Sequence, residues 1–128
     1  VKVICKAIKL TSSQKKIMGV NENSDYEYPF EIGESYTVLG ISSQVGRQAA
    51  TILQMPYFYA FPAPLCLFEI IDSRPSAYWV IKALSEYELA LWPKEFYQPF
   101  FHDQLSDLSP EYVEIYKEVV ERLENEFS

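Results

Sequence analysis

The sequence predicts one α+β domain, a bent antiparallel sheet with a C-terminal helix packed on it. Three observations carry the prediction. Apolar runs rich in β-branched and aromatic residues recur at roughly the dozen-residue spacing of short strands, with turn formers between them. From Ser109 onward the apolar period changes to three and four, the signature of an amphipathic helix. A chain of 128 residues, 48% hydrophobic and 16% aromatic, fits one domain with a substantial core.

The elements follow in order. Residues 1–10 read as a strand, in which Val3, Cys5 and Ala7 alternate with Lys2 and Lys6. Residues 11–29 are rich in Ser, Asn, Gly and charge and read as a long loop, a type of segment that is often functional. Residues 30–41 form the first strong strand signal, with Gly33 supplying a turn at its start. Tyr36 and Val38 face one way there, and Thr37, Leu39 and Ile41 the other. A turn over 42–48, containing Gly46, leads into a return strand over 49–55, so a hairpin is expected.

Residues 56–64 interleave Pro56, Pro62 and Pro64 with Tyr57, Phe58, Tyr59 and Phe61, a pattern that excludes a central strand throughout. Strands follow over 65–71, 77–82 and 86–91, with a turn over 72–76. A sheet of this kind bends strongly, and closure into an SH3-like barrel is the alternative to an open sheet. Residues 94–99 read as a helical turn. Ser109 then stands as N-cap, Pro110 at the first helical position, and Glu111 near the positive end of the dipole. Tyr112, Ile115, Tyr116, Val119, Val120, Leu123 and Phe127 form the apolar stripe of that helix, and its opposite face is acidic. No internal repeat or second domain is visible.

Charge is divided unevenly. All eighteen acids lie after position 20, whereas five of the eleven basic residues lie in the first sixteen. The chain carries a net charge of −7, which disfavours direct contact with nucleic acid, and no basic stripe with interleaved aromatics occurs. There is no apolar run long enough to span a membrane and no visible signal peptide. Cys5 and Cys66 are too few for a disulfide framework or a zinc site; both read as small buried hydrophobes in a reducing, cytoplasmic setting.

No catalytic constellation accompanies the charge. His102 is the only histidine, and no nucleophile motif goes with it, so it reads as a ring at the boundary of an aromatic segment. Asp103 with Asp107, and Glu86 with Glu88, are paired only in sequence and read as solvated acids. The glycines are isolated, no calcium-loop pattern occurs, and no metal or cofactor is expected. The best functional signal is the Tyr57–Phe61 segment, with rigid rings of the kind found at binding hot spots. Phe58 and Phe61 are expected to fill the mouth of the sheet, leaving Tyr57 and Tyr59 for contact; Trp79 is expected in the core. The acids Glu22, Asp25, Glu27, Glu31 and Glu34 crowd the first loop and its exit, where they can act as an electrostatic lure for a basic partner.

The segments FEIGESYTVLGI, PAPLCLFEIIDSRPSAYWVIK, LALWPKEFYQPFFHDQLSD and EIYKEVVERLENEF, in this order, resemble a group of small bacterial proteins. These are immunity proteins of contact-dependent growth inhibition and other polymorphic toxin systems. The resemblance covers about residues 30–127 and is a pattern of packing residues. It implies a non-enzymatic cytoplasmic protein that binds the C-terminal domain of a cognate toxin, often a basic nuclease, and occludes its active site. The expected contacts are Asp25, Glu27 and Glu31 in the first loop, Tyr57 and Tyr59 in the aromatic bend, and Glu86, Glu88 and Asp103. The first alternative is an intracellular adaptor or regulatory module with another basic partner, and the second a small enzyme using His102 with nearby carboxylates. The lysine-bearing N-terminal stretch departs from the group's pattern.

Overall fold

A computed structural model describes residues 1–46 and 48–127. It contains two antiparallel sheets and C-terminal helices, an α+β architecture, and the sheets do not close into a barrel. The smaller sheet has the order β2-β1-β6, with β1 at Lys2–Cys5, β2 at Ser35–Thr37 and β6 at Phe68–Asp72. The larger has the order β5-β4-β3-β8-β7, built from β3 (Gly40–Gln44), β4 (Ala50–Pro56), β5 (Ala60–Pro64), β7 (Trp79–Ser85) and β8 (Glu88–Pro93).

The predicted long strand over 30–41 divides because its residues serve different cores. Val38 packs between the sheets, while Leu39 turns to the opposite side of the larger sheet. The expected return strand forms as β4, but its hairpin partner is β3, which lies mostly within the expected turn over 42–48, pairing Gly40 with Gln54 through Gln44 with Ala50. β3 runs on into the expected turn, of which Arg47 lies outside the described residues. Gly40 is required by a close approach: a Cβ there would stand 2.7 Å from Cδ1 of Trp92. The proline-rich β5 occupies a sheet edge, where missing amide donors cost least.

Two helices depart from the sequence reading. α1 (Ser12–Met18) forms inside the expected loop. Thr11 and Gln14 close a reciprocal capping box, and Gly19, at φ 69°, ends the helix in the left-handed conformation. None of its residues is buried, so it lacks the apolar stripe that marks a helix in sequence. α2 (Phe101–Ser106) is too short to show a period. A 3₁₀ turn at Lys94–Tyr97 matches the expected helical turn, and α3 spans Pro110–Glu126. Ser109 stands at the N-cap, but its hydroxyl is directed to Gln104 Oε1 (2.8 Å) instead of capping.

The hydrophobic interior has two parts. Val3, Cys5, Val38, Leu53, Met55 and Leu67 are among the residues packed between the sheets. Leu39, Phe96, Phe101, Tyr116, Val119 and Leu123 fill the space between the larger sheet and the helices. Full burial of each such side chain contributes about 1.5–3 kcal/mol. Three strands cannot cover five. Along the register row Leu53, Ile41, Leu91, Ile81, exposure climbs from 2% at Leu53 to 62% at Ile81 on the edge strand β7.

Candidate functional site

Tyr57 and Phe58 project from the turn between β4 and β5, with 41% and 73% of their surfaces exposed. The exposure of Phe58 corrects the expectation that it fills the sheet. Phe61 does turn inward, meeting Phe30 edge-on at 5.7 Å. Tyr59 is half-buried. Trp79 is also half-buried, packed against the first core, with its indole N–H donating to Leu39 O (2.9 Å).

The bend is tied to α3 by one hydroxyl. The amide of Tyr57 donates to Tyr116 Oη (3.1 Å), and that hydroxyl lies 3.0 Å from Tyr59 O and 3.2 Å from Tyr57 O. Its single proton goes best to the shorter acceptor, Tyr59. Burial, the main cause, pushes the Tyr116 phenol up to about 12, so it remains a neutral donor. The backbone of an exposed aromatic turn is thereby clamped to a helix, which reduces the ordering entropy a partner must overcome.

Edge-on ring contacts connect the bend to the first loop. Tyr57 meets Phe61 at 5.7 Å, Phe61 meets Tyr28 at 6.3 Å, and Tyr28 meets Tyr26 at 4.8 Å. The structure therefore links Tyr57 and Tyr59 with the segment that carries Asp25, Glu27 and Glu31. It also places three of the five N-terminal lysines against this loop. Lys9 pairs with Asp25 (3.9 Å) and Glu27 (3.5 Å), Lys16 pairs with Glu22 (3.7 Å), and Lys15 donates to Glu22 O (3.2 Å). Such exposed pairs add about 0–1 kcal/mol each to stability, but they neutralise much of the proposed lure. Glu31 joins no ion pair among the described residues.

The acidity lies elsewhere. From Phe101 to Glu126 there are eight acids and two bases, Lys117 and Arg122. Glu111, Glu114, Glu118, Glu121 and Glu124 are exposed on α3, and among the described residues only Glu114 of these has an ion-pair partner, Lys117 at 3.6 Å. Arg122 is drawn inward to Glu95 (2.6 Å). The helix that clamps the aromatic bend thus carries a nearly bare acidic face. Sequence reasoning found both features but not their link, because the hydroxyl of Tyr116 reaches the bend across 57 to 59 positions of chain.

The other expected contacts are dispersed. Glu86 is exposed in the β7–β8 turn, and half-buried Glu88 accepts from Gln44 Nε2 (3.2 Å) at the tip of the larger sheet. Asp103 is exposed in the first turn of α2. Its neighbour His102 is wedged between Trp92, Phe96 and Phe101, at ring distances of 5.3, 5.5 and 5.8 Å. Burial lowers its affinity for protons, with Asp103 opposing more weakly. Its Nε2 is sealed and lacks a hydrogen-bond partner among the described residues.

Cys5 is buried as expected, but Cys66 is exposed because it lies in the 3₁₀ turn Leu65–Leu67 instead of a strand. Among the described residues no group of His, Cys, Asp and Glu could hold a metal ion, and no helix is long and apolar enough to cross a membrane. No protein-family model matches the chain, and comparison with curated proteins and with solved structures found no match.

Proposed function

We propose that this chain is a protein-binding inhibitor of the immunity type, which neutralises a basic toxin domain in the cytoplasm by covering its active surface. The observation that carries the reading is the clamp between Tyr116 and the Tyr57–Tyr59 bend, which sets rigid exposed rings on a helix with an acidic outer face. Aromatic anchors supply binding energy, and the acids on the outer face of α3 steer a basic partner. A nuclease cleft built for phosphate has the complementary charge.

The test is growth rescue. The protein encoded immediately upstream of this chain is expressed with the wild type, with Tyr57→Ala/Phe58→Ala, or with Glu114→Lys/Glu118→Lys/Glu121→Lys. Rescue by the wild type and its loss in both variants supports the reading. Charge reversal on α3 is expected to slow association more than Glu27→Lys/Glu31→Lys, since Glu27 already faces Lys9. Failure of the wild type to rescue growth or bind that protein favours an adaptor with a different partner.

A further inference from the structure

Strand β7 ends the larger sheet, and among the described residues no strand pairs beyond it. Six of the sixteen exposed large hydrophobic residues belong to its hairpin with β8 or immediately precede it: Tyr78, Val80, Ile81, Leu84, Tyr87 and Leu89. An open apolar edge is a template for further strand pairing, and natural edges are ordinarily blunted by charge or proline. The one charged residue of β7, Lys82, is turned aside, with Nζ over the ring of Tyr97 at 5.1 Å.

The direction of the free backbone groups can be derived. Tyr97 Oη accepts from the amide of Trp92 (3.2 Å) and lies 2.6 Å from Val80 O, so the carbonyl of Val80 points inward, toward β8. Along a strand these directions alternate, which turns the amide and carbonyl groups of Ile81 and Ala83 outward.

We infer that β7 is the dimerisation edge of this protein, pairing antiparallel with β7 of a second copy about a two-fold axis at Ile81. In that register Ile81 meets Ile81 of the second copy and exchanges both main-chain hydrogen bonds with it. Ala83 donates to the Trp79 carbonyl of the second copy and Lys82 lies opposite the apolar Val80; the regular pairing ends there, before the irregularity between Ala83 and Ser85. A two-fold interface must be self-complementary in this way.

Charge selects the occupant. Residues 73–85 contain no acid, and the carboxylate of Glu126, which reaches the start of this edge, is engaged by the amide of Ala77 (2.8 Å), so the edge offers a basic partner little charge. An acidic chain of net charge −7 can meet its own copy only where its acids are few. Six half-exposed side chains of this size present on the order of several hundred Å², comparable with the largest patch of an ordinary monomer and approaching the roughly 800 Å² per partner of a standard interface. The inference does not rest on the proposed inhibitor role.

The test is sedimentation of the full chain over a dilution series, beside Ile81→Glu and Ala83→Pro. Both substitutions act on the exposed edge, and far-UV circular dichroism checks that each variant folds. The wild type is expected to show a twofold mass that dissociates on dilution, and both variants the monomer mass. A wild type that is monomeric at its highest soluble concentration overturns the inference, as does a dimer that persists in both variants. If the wild type is monomeric and the variants lose a heterologous partner instead, the edge belongs to that partner and the inference fails.

Discussion

The hydroxyl of Tyr116 lies 3.0 Å from the carbonyl oxygen of Tyr59, joining the middle of α3 to the aromatic bend between β4 and β5. The same oxygen accepts the amide of Tyr57, so one side chain on the helix fixes both ends of the turn that displays Phe58.

Tyr116→Phe keeps the ring and removes the clamp, leaving a main-chain donor and an acceptor without their partner. Urea unfolding is expected to show a loss of about 1–3 kcal/mol. Alkaline pH acts on the same group. Its ordinary value of 10.0 is raised to about 12 in the folded chain, so the unfolded state releases the proton first. Stability present below pH 10 should therefore fall as pH rises toward 12, and Tyr116→Phe should reduce that slope.

His102 makes the opposite prediction on the acid side. Burial among rings holds its proton affinity below that of an ordinary histidine, at 6.5. As pH falls through 6.5 the unfolded chain takes up a proton that the folded chain refuses, so stability decreases. Thermal melts between neutral and mildly acid pH should show this decline, and His102→Phe should flatten it.

The clamp and the two cores also show what the sequence can and cannot express. The return strand β4 and α3 were legible because each has a local pattern, and Pro110 and Glu111 mark a helix start; most of β3 was not, since Ser42, Ser43 and Gln44 read as a turn. α1 was missed although Thr11 and Gln14 stand at capping-box spacing, because Ile17 and Met18 alone do not make an apolar stripe. The burial of Val38 beside Leu39 looks like one strand in sequence; only the third layer of helices shows that they serve different cores. Among the expected site residues, Tyr57 and Tyr59 could be singled out by composition, but the exposure of Phe58 and the pairing of Lys9 with Asp25 and Glu27 depend on tertiary placement.

Arg122 and Glu95 form a pair with side-chain exposures of only 28% and 14%, and Oε1 of Glu95 is buried without a partner among the described residues. Arg122→Ala strands that carboxylate and removes the guanidinium from the ring of Tyr78, 5.0 Å away. A loss of about 2–4 kcal/mol is expected, larger than for Arg122→Ala combined with Glu95→Gln, because an unpaired buried charge costs more than a lost pair. A double-mutant cycle by urea unfolding measures the difference.

Leu108 ends α2 at φ 57°, with its amide donating to Leu105 O (3.0 Å) and the next amide, of Ser109, to Gln104 O (3.1 Å). That is the position at which glycine ordinarily closes a helix. Leu108 is exposed, so Leu108→Gly forfeits little packing while relieving a conformation that costs an L-residue about 1–2 kcal/mol. The melting temperature should rise by a few degrees, in keeping with a net gain of about 1 kcal/mol or less.

The central claim is that the Tyr57–Phe58 rings, clamped on an acidic helix, bind a basic toxin domain. The most direct test is the affinity of the protein encoded immediately upstream for the wild type and for Tyr57→Ala/Phe58→Ala, measured at low and high salt. The account predicts a stoichiometric complex, weakened at least about tenfold by the double substitution and forming more slowly as salt rises. A complex with unchanged affinity after loss of both rings, or no complex with the wild type, would contradict it.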